Sequence, residues 1–299
     1  MKKIILAILA MTTAFNIMAQ MPHDAIYMNK KDFCIAIIGG QTSFNEYWEG
    51  NLLRDNLNMG TNTTQSLMPM IAYGIGSKLN LIASIPYVRV SNSAGNLMPQ
   101  EGVQDLTVGL KYRFLDKQGL SLHAWLGGST PIGNYVADFL PMSIGLGAKT
   151  GTGRLIARYQ HKSGLYLQGH GAYTYRSTVK IDRDAYQFDS KIINSNWIAV
   201  PNAIETRAAL GYNRNGIQIE GFLSRFACES GDDIRRNDMP FPTNNMKANM
   251  VGGYLKYQPK NLGFNLQWSQ CAKGLNVGKT KQISIGLLYQ IKVKAAGKN

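Results

Sequence analysis

Two residues of this sequence have the spacing of a nucleophile and its base. His161 and Ser163 flank Lys162 in a short segment of turn-forming residues. A histidine that hydrogen-bonds to a serine hydroxyl can remove its proton, provided that an orienting group and an oxyanion site lie nearby. The pair is therefore a weak candidate for a hydrolytic site. Whether His161 and Ser163 could act in hydrolysis depends on the elements that surround the turn.

A second set of residues could bind ions. Charged residues recur along several segments at every second position, with apolar residues between them. The cations are Lys111, Arg113, Arg154, Arg158, Arg176, Arg207, Lys256 and Lys292, and the anions are Asp105, Glu205 and Glu220. If they line one pore, the excess of cations favours anions in it, and Lys111, Arg113, Arg158 and Arg207 are expected to shape one constriction. The alternative is that the cations pair with the acids and fill a narrow barrel.

The stretch Gly102–Phe114 indicates which element carries such residues. From Gln104 onward one face is apolar, and the other holds Asp105, Lys111 and Arg113. A period of two is typical of a strand with two different environments. Strands in soluble proteins usually have about five or six residues, whereas a tilted membrane-spanning strand needs about ten. The length of this stretch favours the membrane-spanning strand.

Eleven further segments extend the pattern to the whole chain. We therefore predict an all-β fold, a 12-stranded antiparallel transmembrane β-barrel with short periplasmic turns and long extracellular loops. The predicted strands are Phe33–Ser43, Thr64–Ile75, Leu79–Val90, Gln104–Leu115, Leu120–Thr130, Arg154–His161, Leu165–Arg176, Ala203–Asn213, Ile217–Ala227, Lys247–Tyr257, Leu262–Cys271 and Thr280–Val293.

The lengths of the connections support the same prediction independently. They alternate between long and short, and the short ones are tight turns of Gly, Asn, Asp, Ser and Pro, such as Asp116–Gly119 and Gln258–Asn261. Outer-membrane barrels have this layout, with short turns at one end and long loops at the other. The segment Met142–Lys149 also alternates. We interpret it as an outward extension of the sixth strand, with a separate strand as the alternative.

The N-terminus indicates export. Lys2 and Lys3 precede the apolar run Ile4–Ala14, and Ile17-Met18-Ala19 offers a cleavage site. We predict a signal peptide at 1–19, a periplasmic N-terminal segment at 20–31, the outer-membrane barrel at 32–293 and a periplasmic tail at 294–299. Loss of Lys2 and Lys3 lowers the formal charge from +14 to +12.

Composition argues against several other functions. The three cysteines, Cys34, Cys228 and Cys271, show no metal-binding spacing, so we expect unpaired thiols, with a Cys228–Cys271 bridge as the alternative. No metal site and no cofactor are predicted. Basic residues spaced two apart along strands, without a clustered patch, argue against nucleic-acid binding.

Two further basic residues fall on the apolar side of the alternation. Arg89 and Arg225 lie at lipid-facing positions near the end of the barrel that carries the long loops. A long side chain there can extend its charged end to the membrane surface, and this is the interpretation we adopt.

The stretch Gly102–Phe114, followed by Gly128–Tyr135, resembles a known family. This family comprises outer-membrane barrel proteins associated with the meta-cleavage pathway of phenol degradation. The matching residues are Gly102, Asp105, Leu106, Gly109, Lys111, Tyr112, Arg113, Pro131, Gly133 and Tyr135, and Gln104 departs from the usual Gly. The resemblance covers roughly residues 66–178 and implies a barrel with a transport role. The His161 and Ser163 pair also resembles the dyad of outer-membrane phospholipase A, although Gly164 stands where that enzyme has Asn.

We therefore expect an outer-membrane channel or transporter for a small solute, anionic or aromatic, and not an enzyme. The expected partners are outer-membrane lipid, the barrel-assembly machinery and the solute. One alternative is a structural subunit of an envelope or secretion assembly that transports nothing. Another is a lipolytic enzyme, against which the position of His161 and Ser163 in a short periplasmic turn argues.

Overall fold

The computed structural model describes residues 21–235 and 238–292, and its regular structure is β-strand throughout. The predicted signal peptide and the predicted C-terminal tail lie outside these residues. Among the described residues, no helix is long and apolar enough to cross a membrane.

Twelve antiparallel strands form one closed wall. The first strand pairs with the second and also with the twelfth along its length, so the pairing runs around the wall without a free edge. The predicted 12-stranded antiparallel barrel is confirmed. In chain order the strands are Phe33–Phe44, Asn62–Gly74, Leu79–Ser84 continued by Tyr87–Asn92, Gln100–Val103 continued by Asp105–Lys117, Leu120–Pro131, Thr150–Gln160, Leu165–Arg176, Ala203–Arg214, Ile217–Cys228, Lys247–Tyr257, Leu262–Leu275 and Lys281–Ile291.

The third and fourth strands are each interrupted once, which the sequence analysis did not predict. Pro86 has no N–H to donate to a neighbouring strand, so regular pairing stops there. The carbonyl oxygen of Pro86 instead accepts a hydrogen bond of 2.9 Å from the N–H of Gln104, where the fourth strand is also interrupted. Beyond the break, Tyr87–Asn92 pairs with Gln100–Val103 and with the second strand.

The connections alternate in length around the barrel. Short turns join strands at one end, and in two of them both residues have positive φ angles, Gln118 and Gly119 at 51° and 86°, and Asn215 and Gly216 at 55° and 77°. Two-residue turns of this kind match the twist of a β-hairpin. The connections at the other end are residues 45–61, 93–99, 132–149, 177–202, 229–246 and 276–280. Two of these carry hairpins of their own, with one in residues 45–61 and two in residues 177–202.

The two faces of the wall differ in polarity. Outward side chains such as Leu126, Leu210 and Leu287 are 68%, 65% and 62% exposed. Aromatic residues occupy outward positions near the short-turn end, among them Tyr73, Tyr112, Phe114, Tyr159, Tyr257 and Tyr289. An apolar band with an aromatic edge is the outer surface of a membrane barrel. The protein is an outer-membrane β-barrel.

The expectation for Met142–Lys149 is wrong. The sixth strand begins at Thr150, and the preceding residues form neither an extension of it nor a separate strand. Met142 and Ile144 are buried and pack against Val88 and Val90, which point inward from the third strand. Burial of these apolar side chains folds the connection into the mouth of the barrel, and this explains its alternating pattern.

The three cysteines are free and buried. The alternative of a Cys228–Cys271 bridge is therefore wrong. Cys228 Sγ lies 3.8 Å from a guanidinium nitrogen of Arg176, and Cys271 Sγ lies 3.5 Å from the carbonyl oxygen of Lys273. Both thiols act as small buried groups.

Candidate functional site: the barrel lumen

The inward positions of the wall hold nearly all of the charged residues that the alternation assigned to them. Lys111, Arg158 and Glu220 are buried, and the other members are partly buried at positions of the same parity, namely Asp105, Arg113, Arg154, Arg176, Glu205 and Arg207. Lys256 is also buried. Lys292 follows the last strand and is exposed. The period of two thus locates these side chains, and their partners decide what they can do.

One cluster lies on the sixth, seventh and eighth strands. Glu205 accepts hydrogen bonds from Arg154 Nη2 at 2.9 Å and from His170 Nε2 at 3.0 Å. The strand register brings the three residues together. Ala172 of the seventh strand pairs with Arg154 on one side and with Glu205 on the other, and His170 is the neighbouring inward residue of the seventh strand. The carboxylate therefore holds one cation of the lumen in place.

A second cluster lies on the seventh to ninth strands. Glu220 pairs with Arg207 and also accepts a hydrogen bond of 2.7 Å from the hydroxyl of Tyr166. Gln218 Nε2 donates to the same hydroxyl at 2.9 Å. The guanidinium of Arg207 lies 3.5 Å from the ring centroid of Phe222. Arg207 is thus fixed against a carboxylate and an aromatic face.

The N-terminal segment, residues 21–31, lies inside the barrel. The sequence analysis predicted instead a periplasmic segment at residues 20–31. Met28 packs with inward residues of the first three strands, and Asp24 is buried. Asp24 Oδ1 lies 2.6 Å from Lys111 Nζ, which also donates to the carbonyl oxygens of Met21 and Asp24 at 2.8 and 3.1 Å.

The same segment contacts other parts of the wall. The Tyr27 ring stacks on His123 of the fifth strand at 5.3 Å between centroids, and its hydroxyl lies 3.1 Å from His123 Nδ1. The carbonyl oxygen of His23 accepts a hydrogen bond of 3.0 Å from Gln168 on the seventh strand. The segment therefore bridges opposite sides of the lumen.

His23 lies among cations. Its ring centroid is 6.2 Å from that of His170. Burial lowers the pKa of His23 well below its ordinary value, and Arg207, Arg154, His170 and Lys111 lower it further. A neutral imidazole is therefore favoured while the segment is docked.

A small cavity adjoins the N-terminal segment. The cavity beside the segment has a volume of about 10 Å³ and is lined by residues of the segment and of the seventh to tenth strands, among them Met21, His23, Gln168, Arg207, Glu220 and Tyr254. A cavity of about 10–15 Å³ holds one water molecule. No solute larger than water passes through that cavity while the segment is docked.

The four cations expected to shape one constriction have separate partners instead. Lys111 pairs with Asp24 and Arg207 with Glu220, while Arg113 pairs at 2.8 Å with Asp116 next to a short turn. Arg158 differs from these three. Its Nη2 donates to the amide oxygen of Gln160 at 2.9 Å, and its guanidinium lies 3.7 Å from the ring centroid of Tyr166. Its buried Nη1 has no hydrogen-bond partner among residues 21–235 and 238–292.

Residues of the family-like motif meet at the long-loop end. The hydroxyl of Tyr135 donates a hydrogen bond of 2.5 Å to Asp105 and accepts one of 3.2 Å from the N–H of Gly147. At Gly133 a Cβ atom would lie 1.9 Å from the carbonyl oxygen of Val103, so only glycine fits. The motif thus fastens the connection of residues 132–149 to the fourth strand at the mouth of the barrel.

Gly109 of the same motif lies under an aromatic ring. A Cβ atom there would come within 2.5 Å of the Trp125 ring, which also covers Gly127. The guanidinium of Arg154 lies 5.9 Å from the Trp125 ring. The glycine therefore makes room for a side chain of the lumen.

His161 and Ser163 form a turn rather than a catalytic site. His161 Nδ1 lies 2.9 Å from Ser163 Oγ and accepts the Ser163 N–H at 3.2 Å, while Ser163 Oγ accepts the N–H of Leu165. Both residues are exposed, and no carboxylate among the described residues bonds to the imidazole. The pair stabilises the backbone of a short turn. The described residues also contain no group of His, Cys, Asp and Glu side chains that could hold a metal ion.

Known proteins resemble this chain in fold and in sequence. A solved outer membrane channel from Pseudomonas putida F1 superimposes with a TM-score of 0.71 and 13% identity, over 91% of this chain and 100% of that one. The NanC porin aligns with a TM-score of 0.48 and 8% identity, over 87% and 100%. Curated proteins give no match. A family model described as "Putative MetA-pathway of phenol degradation" matches residues 56–278. Because this match covers most of the chain, the protein belongs to that family.

Proposed function

We propose that the protein is an outer-membrane channel for small solutes, which cross through the lumen when the N-terminal segment leaves it. The observation that carries this proposal is that the polar interior of a closed barrel is filled by a segment that belongs to none of the strands of its wall. A wall residue could not leave without breaking strand pairing. Residues 21–31 are held instead by side-chain contacts such as that of Asp24 with Lys111.

The solute we propose carries an anionic group or an aromatic ring. Inward cations outnumber carboxylates even when Asp24 is counted, and Arg158 has no carboxylate partner among its hydrogen bonds. Arg158 also stacks on Tyr166, so the lumen holds a buried cation beside an aromatic ring. Such a pair favours anions and planar rings.

An alternative also has support in the structure. Ion pairs such as Arg154 with Glu205, together with the packed N-terminal segment, suit a barrel that stays filled and serves as a structural subunit. Conductance recordings in a planar lipid bilayer distinguish the channel from the structural subunit. A channel should give brief openings that carry more chloride than potassium. Protein that inserts but gives no openings at any voltage would favour the structural subunit.

A further inference from the structure

Four cations lie together on the outer surface of the ninth to twelfth strands, near the long-loop end. They are Arg225, Lys247, Lys273 and Lys281. The register places Arg225 opposite Asn249 and Asn249 opposite Lys273, while Lys247 lies opposite Ala227 and Lys281 opposite Gln270. We call these four residues the rim patch.

The parity of the strands shows that the rim patch faces away from the lumen. On the ninth strand, Arg225 follows the outward residues Ile219 and Leu223, which are 54% and 64% exposed. On the eleventh strand, a bulge at Ala272 restores Lys273 to an outward position. On the twelfth strand, Lys281 continues the outward row of Ile283 and Ile285. The charges therefore lie at the edge of the apolar band that is nearest the long loops.

These charges have no acidic partner. Within residues 21–235 and 238–292, none of the four side chains forms an ion pair. The outward positions of the four strands carry no Asp or Glu. Arg89, at the same end on the other side of the barrel, provides a contrast because it lies 3.6 Å from Glu101.

We propose that the rim patch binds the phosphate groups of a phosphorylated glycolipid in the outer leaflet. Phosphate oxygens form strong charge-assisted hydrogen bonds with Arg and Lys. Neighbouring strands lie about 4.8 Å apart, so Arg225 and Lys273 are about 10 Å apart and match a disaccharide that carries a phosphate at each end. Leu223, Val251 and Ile283 lie directly below and offer the acyl chains an apolar surface. A soluble anionic partner has no acyl chains that would contact that apolar surface.

The test compares Arg225→Gln/Lys273→Gln with Arg89→Gln and wild type, each purified in a maltoside detergent and shown to be folded by heat-dependent gel migration. The probes are bisphosphorylated lipid A, the same lipid without phosphates, and inorganic phosphate. Binding is measured by native mass spectrometry. A cation near a membrane surface contributes roughly 1 kcal/mol, or about fivefold in affinity for an anionic lipid. We expect the double variant to bind the bisphosphorylated lipid about 25-fold more weakly than wild type and the Arg89 variant to bind it within twofold of wild type.

Three results would overturn the proposal. One is equal binding of the phosphorylated and dephosphorylated lipids by wild type, which would mean that the apolar band alone holds them. Another is an equal loss of affinity in the Arg89 variant, which would mean that overall charge matters and not the rim patch. Binding of inorganic phosphate as tight as that of the lipid would identify the ligand as a free anion and would also reject the glycolipid.

Discussion

Asp24 Oδ1 lies 2.6 Å from Lys111 Nζ, and this contact joins the N-terminal segment to the wall of the barrel. Lys111 is fully buried, and the rest of its donors go to carbonyl oxygens of the same segment. A buried ammonium left without its carboxylate is strongly unfavourable. The contact therefore holds the segment in the lumen, and under the proposed function the lumen stays closed as long as the contact holds.

Replacing Asp24 by Asn should loosen the segment. The carboxylate also accepts the N–H groups of Met21 and Ile26 at 2.6 and 2.9 Å. Breaking a buried ion pair costs about 3–5 kcal/mol, so hydrogen exchange of the Ile26 amide should become at least about 100-fold faster. The matched control is Asp116→Asn, whose partner Arg113 lies next to a short turn. Unchanged exchange at Ile26 in Asp24→Asn would show that the pair does not hold the segment.

Mild acid should open the channel through His23. The docked segment lowers the pKa of His23, mainly by burial and then by Arg207 and Arg154. The undocked side chain has the ordinary pKa near 6.5, so protons favour the undocked state below that pH. Docking should weaken by up to about tenfold per pH unit between about 6.5 and 5.

The measurement is opening frequency in a planar bilayer as a function of pH. His23→Gln should remove the pH dependence in this window, because the variant has no imidazole at position 23 to take up a proton. The wall groups near position 23, namely His170, Glu205, Arg154 and Arg207, remain in this variant. A variant that keeps the wild-type pH profile would assign the effect to one of those groups.

Ion selectivity should depend on Arg158 more than on Arg113. Arg158 has no carboxylate among its hydrogen-bond partners, whereas Arg113 pairs with Asp116. Arg158→Gln should therefore shift the reversal potential in a salt gradient toward cations, and Arg113→Gln should shift it less. Equal shifts, or a larger shift for Arg113→Gln, would mean that the combined electrostatic potential of all the lumen cations sets the selectivity.

The sequence predicted the wall of the barrel because each strand has a membrane side and a lumen side. Its period of two assigned Lys111, Glu205 and Glu220 to the lumen side, and the structure buries or half-buries these side chains. It did not predict the fillers of the lumen, because residues 21–31 are held by contacts with many strands and have no periodic pattern. The alternation around Met142 and Ile144 predicted an extension of the sixth strand that the structure lacks, since apolar side chains buried in the barrel mouth alternate just as those facing lipid do. Pro86 could have indicated the interruption of the third strand, because proline cannot donate within a sheet.

The lengths of the connections predict the orientation of the barrel. Tags inserted in residues 177–202 should react with antibody on intact cells, while tags in residues 116–119 or 258–261 should react only after the cells are broken open. Outer-membrane barrels place long loops outside and short turns in the periplasm. Labelling of the short turns on intact cells would reverse the orientation and move the rim patch to the inner leaflet.

The most direct test of the account is the conductance of a chain that lacks residues 21–31 but retains the first strand from Phe33. Wild type and the shortened chain are inserted in planar bilayers after their heat-dependent gel migration has shown both to be folded. The account predicts brief, infrequent openings for wild type and a steadily open, anion-preferring pore for the shortened chain. A folded, shortened chain that conducts no better than wild type would contradict it, because the N-terminal segment would then not be what closes the lumen.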